Sequence, residues 1–413
     1  MSSYFNQYKV QINNFLYLSV VQFGNMVLPL VILPLLLNRL GIDKYGLVIF
    51  SQSIASYFAV FIRFGFSTYA TQQISYFRND KGKLSEIFIN VVFLEIILFM
   101  ISIGLFFSYF SLIEIVESKI YIYSLLAAFL EILLPIWYFQ GIERMKYITL
   151  INLSAKVVSL LCILLFVKND SDYLLVPLCY LFGSLIVFLI SISILIRSKV
   201  INFKLPNITT LIFYMKNSVV FFFSDIMAIL KDKTNIMLLG NFIGMHAVAY
   251  YDLAEKIVWA FRSIFVNINT AFFPYFSKNK RSKQVKPILI SIFILSLLSY
   301  IFIIEFSDFI IILLSSSNML VIKEFLWVMA VYVILASVSS SIGYFLLIPN
   351  GYSKSFFKNM MISLVSYFLI CSGIYYFSEI SILALVLAYN SSVFIELCHR
   401  VYLCKKYKLL YWV

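Results

Sequence analysis

Apolar positions in this chain neither alternate nor form stripes; they come in long runs. Charged or turn-forming breaks divide these runs into twelve segments, at about 12–37, 46–77, 85–108, 119–141, 147–168, 173–196, 211–239, 247–276, 286–305, 321–347, 356–378 and 380–404. A helix needs roughly 20 apolar residues to cross the hydrocarbon core of a bilayer, and each run is near or above that length. The pattern predicts an all-α polytopic membrane protein with about 12 transmembrane helices. The second and eighth runs are longer than a bilayer requires, so their far ends are expected to continue as amphipathic helix. The longest break, Arg197 to Thr210, is polar and contains Pro206. It divides the chain into halves, 1–204 and 205–413, with six helices each. No other segment is long enough to form a soluble catalytic domain.

Composition agrees. Of the 413 residues 62% are hydrophobic and 12% charged, with 42 Phe and 29 Tyr, whereas a soluble domain is about half apolar and a quarter charged. The surplus has to face lipid, which excludes a soluble enzyme, a fibrous protein and a disordered one. In a soluble chain the net charge of +13 would suggest nucleic-acid binding. Here the cations fall mostly in connectors, so they bear on topology and not on a nucleic-acid partner. Twenty lysines and arginines lie in breaks on one side, and only Arg39, Lys44, Lys119, Lys168 and Lys323 on the other. Cytoplasmic loops carry the Lys/Arg excess, so both termini are expected in the cytoplasm. The cysteines (Cys162, Cys179, Cys371, Cys398 and Cys404) form no C-x-x-C pair, and neither a metal site nor a disulfide framework follows. The first run is too long for a signal-peptide core and should be kept as the first span.

The two halves also show an internal repeat. A shift of 203 residues lays Leu40-Gly41-Ile42 on Ile243-Gly244-Met245 and carries the third and fourth spans onto the ninth and tenth. Six spans per half makes the repeats parallel, with a pseudo-two-fold axis along the membrane normal. Two six-helix bundles facing one another across a cleft is transporter architecture.

Seven cations lie inside the expected spans: Arg63, Lys156, Lys216, Lys231, Lys233, Lys256 and Arg262. Acids are there too, notably Glu95, Glu131, Asp225, Asp232, Asp252, Glu255 and Glu396. Each costs about 2.5–3.5 kcal/mol at the bilayer centre on insertion scales and normally faces a cavity or a partner. Several have plain structural readings. Lys216 can snorkel from near a helix end. Asp252 and Lys256 are an i, i+4 pair that can neutralise itself. Lys231 and Lys233 fit an interfacial break if the seventh span ends early. Glu95, Glu131, Lys156 and Glu396 fit structural pairs between helices. Arg63, Asp225, Asp232, Glu255 and Arg262 are central and lie on aligned polar faces, so they point to a cavity, with Trp259 on the same face of the eighth span. No phosphate-binding loop, Ser/His/Asp set, paired-carboxylate loop or zinc motif occurs. The chain is therefore not read as an enzyme and needs no cofactor or metal. Any pumping must draw on an ion gradient, on membrane potential or on substrate mass action.

Certain residues also carry a family likeness. Pro29 and Pro34 precede Leu40-Gly41-x-x-x-Tyr45-Gly46-Leu47, followed by Phe64-Gly65-Phe66 with Ala70-Thr71, and by Pro135 with Trp137-Tyr138-Phe139-Gln140-Gly141-Ile142-Glu143-Arg144-Met145. The second half has Asn235-Ile236-Met237-Leu238-Leu239-Gly240, then Tyr250-Tyr251-x-x-Ala254-Glu255-Lys256 and Phe273-Pro274-Tyr275. In order and spacing this set resembles the bacterial polysaccharide repeat-unit exporters, the O-antigen flippases of the multidrug/oligosaccharidyl-lipid/polysaccharide flippase superfamily. It departs from them at Ala249, usually Gly, and at Lys231-Asp232-Lys233, where small polar residues are common. The resemblance implies a flippase in the bacterial inner membrane that moves undecaprenyl-diphosphate-linked oligosaccharide, O-antigen or capsule, from the cytoplasmic to the periplasmic leaflet by alternating access. On that reading Arg63, Lys231, Lys233 and Arg262 bind the diphosphate through charge-assisted hydrogen bonds and Trp259 stacks on sugar. Asp225, Asp232 and Glu255 carry coupling protons or sodium ions. The expected partners are membrane lipid, a polysaccharide polymerase and a chain-length regulator. The rivals are an ion-coupled drug or metabolite antiporter and a lipid II flippase. An O-antigen polymerase or membrane glycosyltransferase would need a large outward loop or a soluble domain.

Overall fold

The structure, a computed structural model, describes residues 2–112, 117–197, 202, 204–280, 283–315 and 317–410. Lys199 and Arg281, two of the cations expected on the cytoplasmic side, lie outside the described residues, as does part of the central break. Fourteen α-helices, short 3-10 turns and one π-helical turn account for the secondary structure of the described residues. The chain forms two compact units, 1–234 and 235–413.

In the first unit, helix α1 (Ser2–Arg63) carries the first two expected spans end to end and is interrupted at Gly41, whose φ is 74°. Glycine adopts that backbone without the steric cost an L side chain meets. The 46–77 run is not one helix, as its continuous hydropathy suggests. It ends at Arg63 and resumes as α2 (Phe66–Tyr76), with Phe64 and Gly65 at φ 44° and 70°. A Cβ on Gly65 would sit 2.6 Å from Phe221 Cβ and from the Phe222 backbone nitrogen, and 2.8 Å from the Ser218 carbonyl oxygen. The break exists where helix α8 (Ile208–Phe242) crosses with no room for a side chain. Gly65→Ala is expected to cost about 1–3 kcal/mol, the usual price of a residue forced into a strained backbone region. Gly104→Ala, with nothing within 4 Å of the new methyl, should leave the thermal midpoint unchanged or raise it.

Helix α3 (Lys81–Leu112) follows, then α4 (Ser118–Ile132) and α5 (Ile136–Gly141), which share the expected 119–141 span on either side of Pro135. Helices α6 (Met145–Phe166) and α7 (Leu175–Arg197) approach closely because Gly183 faces Ala155 and Ser159, the small-residue contact membrane helices use. The core lies under α2 and α5, where Phe66, Ala70 and Ile74 meet Ile87, Phe88 and Val91 of α3 and the aromatic run Trp137-Tyr138-Phe139. Cations expected outside are tied down elsewhere in this unit: Arg39 Nη1 donates to the Leu164 and Val167 carbonyls at 3.1 and 2.6 Å, capping the C-terminus of α6. Lys44 pairs with Glu117 at 2.5 Å.

Helix α8 continues without a break through Lys231-Asp232-Lys233, so no interfacial interruption occurs there, and the boundary of the two units falls inside it. The second unit continues with α9 (Met245–Lys278), α10 (Val285–Glu305), the short α11 (Ser307–Leu314), α12 (Lys323–Ile342), a π-helical turn at Gly343–Leu347, α13 (Ser353–Phe377) and α14 (Ile382–Lys406). Helix α12 packs against α9, α10 and α14 through small residues, among them Ala330, Ala336, Ser337, Ser339 and Ser341. Asn235, fully buried, donates to Tyr251 Oη at 2.9 Å and accepts from Tyr367 Oη at 2.5 Å. It joins the end of α8 to α9 and α13, a structural role for the first residue of the Asn235–Gly240 motif.

Large apolar side chains remain exposed along the outer faces, for example Ile290, Phe293, Ile294, Leu298 and Ile301 of α10. Among the described residues ten helical segments are long and apolar enough to cross a membrane, and one of them, Ser19–Tyr76, spans 58 residues. Counting that segment twice and adding α9, whose charges break its apolar run, recovers the twelve expected. The chain is an all-helical polytopic membrane protein.

Candidate functional site

In the first unit the expected site residues fall at two levels. Arg63, the last residue of α1, is exposed and makes no hydrogen bond or ion pair among the described residues. It lies within electrostatic reach of Glu95 on α3 and Asp225 on α8. Glu95 is fully buried, and neither carboxyl oxygen has a hydrogen-bond partner among the described residues. Two turns further along α8, Lys231 and Lys233 are half-buried and Asp232 is exposed. Asp232 and Lys233 act on the phenol of Tyr57, which shares a 3.4 Å hydrogen bond with the Thr234 hydroxyl. The structure thus groups Arg63, Asp225 and Glu95, and separately gathers the Lys231–Lys233 segment around Tyr57. Lys156 donates to Asn25 Oδ1 at 2.7 Å, a hydrogen bond between α6 and α1 within the first unit.

In the second unit Asp252 and Lys256 close on each other at 2.6 Å, as their spacing predicts. Glu255 is half-buried and Trp259 is 51% exposed, but Arg262 is only 7% exposed. Its Nη2 donates to Ser340 Oγ at 3.0 Å, while its Nε and Nη1 have no hydrogen-bond partner among the described residues. Asn269, two turns on, donates to the same Ser340 Oγ at 2.9 Å and accepts from Ser341 at 2.7 Å.

Beside this serine run stands a buried cation that is not among the seven expected inside the spans. Arg400 belongs to α14 and is 3% exposed. Its guanidinium makes a 2.7 Å ion pair with Glu396 and donates to Asn359 Oδ1 and the Ser339 carbonyl, each at 2.6 Å. It also covers the ring of Phe356 at 4.5 Å. Arg262 lies within its electrostatic reach, so two buried guanidiniums share this neighbourhood with Glu396. The polar cluster adjoins the π-helical turn at Gly343–Leu347, a local irregularity often found at functional sites. The signal for Arg400 was present: Glu396 precedes it by one turn, and the apolar run continues past it to Leu403-Cys404.

Near the ends of α2 and α5, Arg78 pairs with Glu143 at 2.8 Å. The guanidinium hydrogen bond holds the Glu143 carboxyl below the usual carboxylate range. A depressed carboxylate adds stability that is present above its unfolded value and is lost as pH falls through the folded one. Exposed pairs are worth about 0–1 kcal/mol. Wild type and Glu143→Gln should therefore differ slightly in thermal midpoint at neutral pH and converge in acid.

Comparison with known proteins agrees with this frame. Residues 12–280 match the polysaccharide biosynthesis protein family. The chain is 28% identical over 283 residues to a candidate O-antigen transporter of Escherichia coli (strain K12), covering 67% of each. It is 26% identical over 275 residues to a candidate O-antigen transporter of Shigella dysenteriae, covering 64% of this chain and 67% of that one. Its fold is similar to that of the lipid II flippase MurJ in an inward closed conformation (TM-score 0.75, 14% identity, 94% of this chain and 87% of the other). A multidrug resistance MATE family transporter of the MOP superfamily, inward-facing, gives a TM-score of 0.73 at 14% identity over 96% and 99% of the two chains. The fold is one that this chain shares with these transporters.

Proposed function

The chain belongs to the polysaccharide biosynthesis protein family, and from that membership we propose that it is a flippase for oligosaccharide repeat units linked to undecaprenyl diphosphate. It moves units of the O-antigen or capsule type from the cytoplasmic to the outer leaflet of a bacterial inner membrane by alternating access. The observation that carries the reading is Arg63: an exposed guanidinium at the end of an apolar helix, with no ion pair among the described residues, next to the helix break at Phe64 and Gly65. A charge so costly in lipid suits a diphosphate, which accepts charge-assisted hydrogen bonds from it.

Lys231 and Lys233 extend the positive surface along α8, and Arg262 with Trp259 supplies the corresponding groups on α9. Asp225, Asp232 and Glu255 carry the coupling protons or sodium ions. The halves that alternate are 1–204 and 205–413, with both termini in the cytoplasm, and the product passes to a polysaccharide polymerase and a chain-length regulator.

Deleting the gene in a strain that makes surface polysaccharide should abolish that polysaccharide and accumulate lipid-linked oligosaccharide, and the wild-type chain should restore both. The fold likeness to a multidrug transporter supports a second reading, ion-coupled drug export. Intact polysaccharide with altered drug sensitivity in the deletion strain would establish that reading and overturn the first.

A further inference from the structure

Helix α2 has a buried face, Phe66, Tyr69, Ala70 and Ile74, and an opposite face that is unusual for a membrane protein. The outer positions, Ser67, Thr68, Thr71, Gln72, Ser75 and Tyr76, all carry a hydroxyl or a carboxamide and none carries a formal charge. Together with Gln140 of α5 they line a cavity of about 500 Å³, within the range of about 300–1,000 Å³ typical of small-molecule sites. The wall is rigid: a Cβ on Gly141 would come within 2.7 Å of the Ile74 side chain, so α5 is seated directly on α2, over the Phe88, Trp137 and Phe139 core.

The chemistry of the lining selects its ligand. No lining side chain carries a charge that could pair with an ion or a phosphate. The nearest cation, Arg78, 3.5 Å from Ser75 Oγ, is already paired with Glu143. Thr71 Oγ1 already donates to the Ser67 and Trp137 carbonyls, but an apolar drug would displace water from the other hydroxyls and carboxamides without replacing its hydrogen bonds. A neutral sugar ring suits them, because every hydroxyl of the ring both donates and accepts, as do the hydroxyls and carboxamides of the wall. Tyr76, 74% exposed, offers an aromatic face at the rim for the C–H side of a ring. The connectors after α2 and α5 and the first turns of α3 and α6 hold Arg78, Lys81, Lys83, Arg144 and Lys146, cations of the expected cytoplasmic side, from which the repeat unit is loaded.

We propose that this uncharged cleft of α2 and α5 is a glycan subsite that binds a sugar ring of the repeat unit by hydroxyl and carboxamide hydrogen bonds. The proposal rests on the flippase reading above and assigns it residues outside the charged sites. The test is the affinity of the purified full-length protein for two probes. One is undecaprenyl diphosphate alone; the other is the lipid-linked oligosaccharide extracted from cells lacking the chain. Loss of two or three neutral hydrogen bonds should cost at least about tenfold in affinity. Wild type should therefore prefer the sugar-bearing lipid by that factor or more. Thr68→Val/Gln72→Leu/Ser75→Ala, all at exposed positions, should lose the preference and keep its affinity for the bare carrier. Gln140→Leu, on a different helix, should reduce the preference in the same direction. If the variants keep the wild-type preference, or if wild type binds the two lipids equally, the subsite is wrong and the flippase reading stands. If wild type binds neither lipid, the flippase reading falls and takes the subsite with it.

Discussion

Replacing Arg400 with Leu is expected to destabilise the folded protein by about 3–5 kcal/mol, the cost of removing one partner from a buried ion pair. The size follows from what is left behind. Glu396 loses its 2.7 Å counter-ion, Asn359 Oδ1 loses its donor, and the Ser339 carbonyl loses a 2.6 Å bond. Arg400→Lys should recover only part of the loss, since an ammonium cannot reach three acceptors with the planar fork of a guanidinium. The decisive variant is the double one. Arg400→Leu with Glu396→Leu removes both charges, and such replacements are often neutral or stabilising, so it should be markedly more stable than Arg400→Leu alone. Cys162, Cys179, Cys371 and Cys404 are buried free thiols, so a thiol-reactive dye in detergent reports the unfolding midpoint of each protein. A double variant as unstable as the single one would show that the unpaired Glu396 charge is not the source of the loss, and that the Arg400 bonds to Asn359 of α13 and Ser339 of α12 are.

The second large effect is functional. Arg63→Ala should lower export of the lipid-linked oligosaccharide by about 10–100-fold, the equivalent of one or two charge-assisted hydrogen bonds to the substrate. It should leave the thermal midpoint nearly unchanged, because Arg63 is exposed and makes no ion pair among the described residues. Arg262→Ala differs in kind. Arg262 is buried and bonded to Ser340, so its removal should lower stability as well as export. Surface polysaccharide, read beside protein abundance, separates the two cases. Normal polysaccharide from Arg63→Ala at normal abundance would remove Arg63 from the substrate site.

Much of this was legible in the order of residues. Length and hydropathy suffice to place membrane helices, because a bilayer demands unbroken apolar runs, and the one-turn spacing of Asp252 and Lys256 was enough to foresee their ion pair. The break at Phe64-Gly65 was not legible from hydropathy, since both residues are as apolar as their neighbours. The close approach of α8, more than 150 residues away in sequence, is what leaves room only for glycine there. For a related reason Arg400 was not singled out as a buried cation. A cation near the end of a final helix reads as a cytoplasmic anchor, and only the packing of α12 and α13 reveals that it is enclosed. The excess length of the 46–77 run was enough to foresee an amphipathic far end, which is α2, but not which of its polar residues share a cleft with Gln140 of α5.

The central claim is that this chain carries a lipid-linked glycan across a bilayer. It is tested most directly by reconstituting the purified protein into vesicles that contain lipid-linked oligosaccharide extracted from cells lacking the chain. Glycan on the outer leaflet is then removed with a membrane-impermeant reagent, and the reappearance of inner-leaflet glycan at the surface is followed over time. Wild type should expose the protected pool, and Arg63→Ala should do so far more slowly. A protected pool that stays inside at the rate of protein-free vesicles, under an imposed ion gradient as well as without one, would contradict the account.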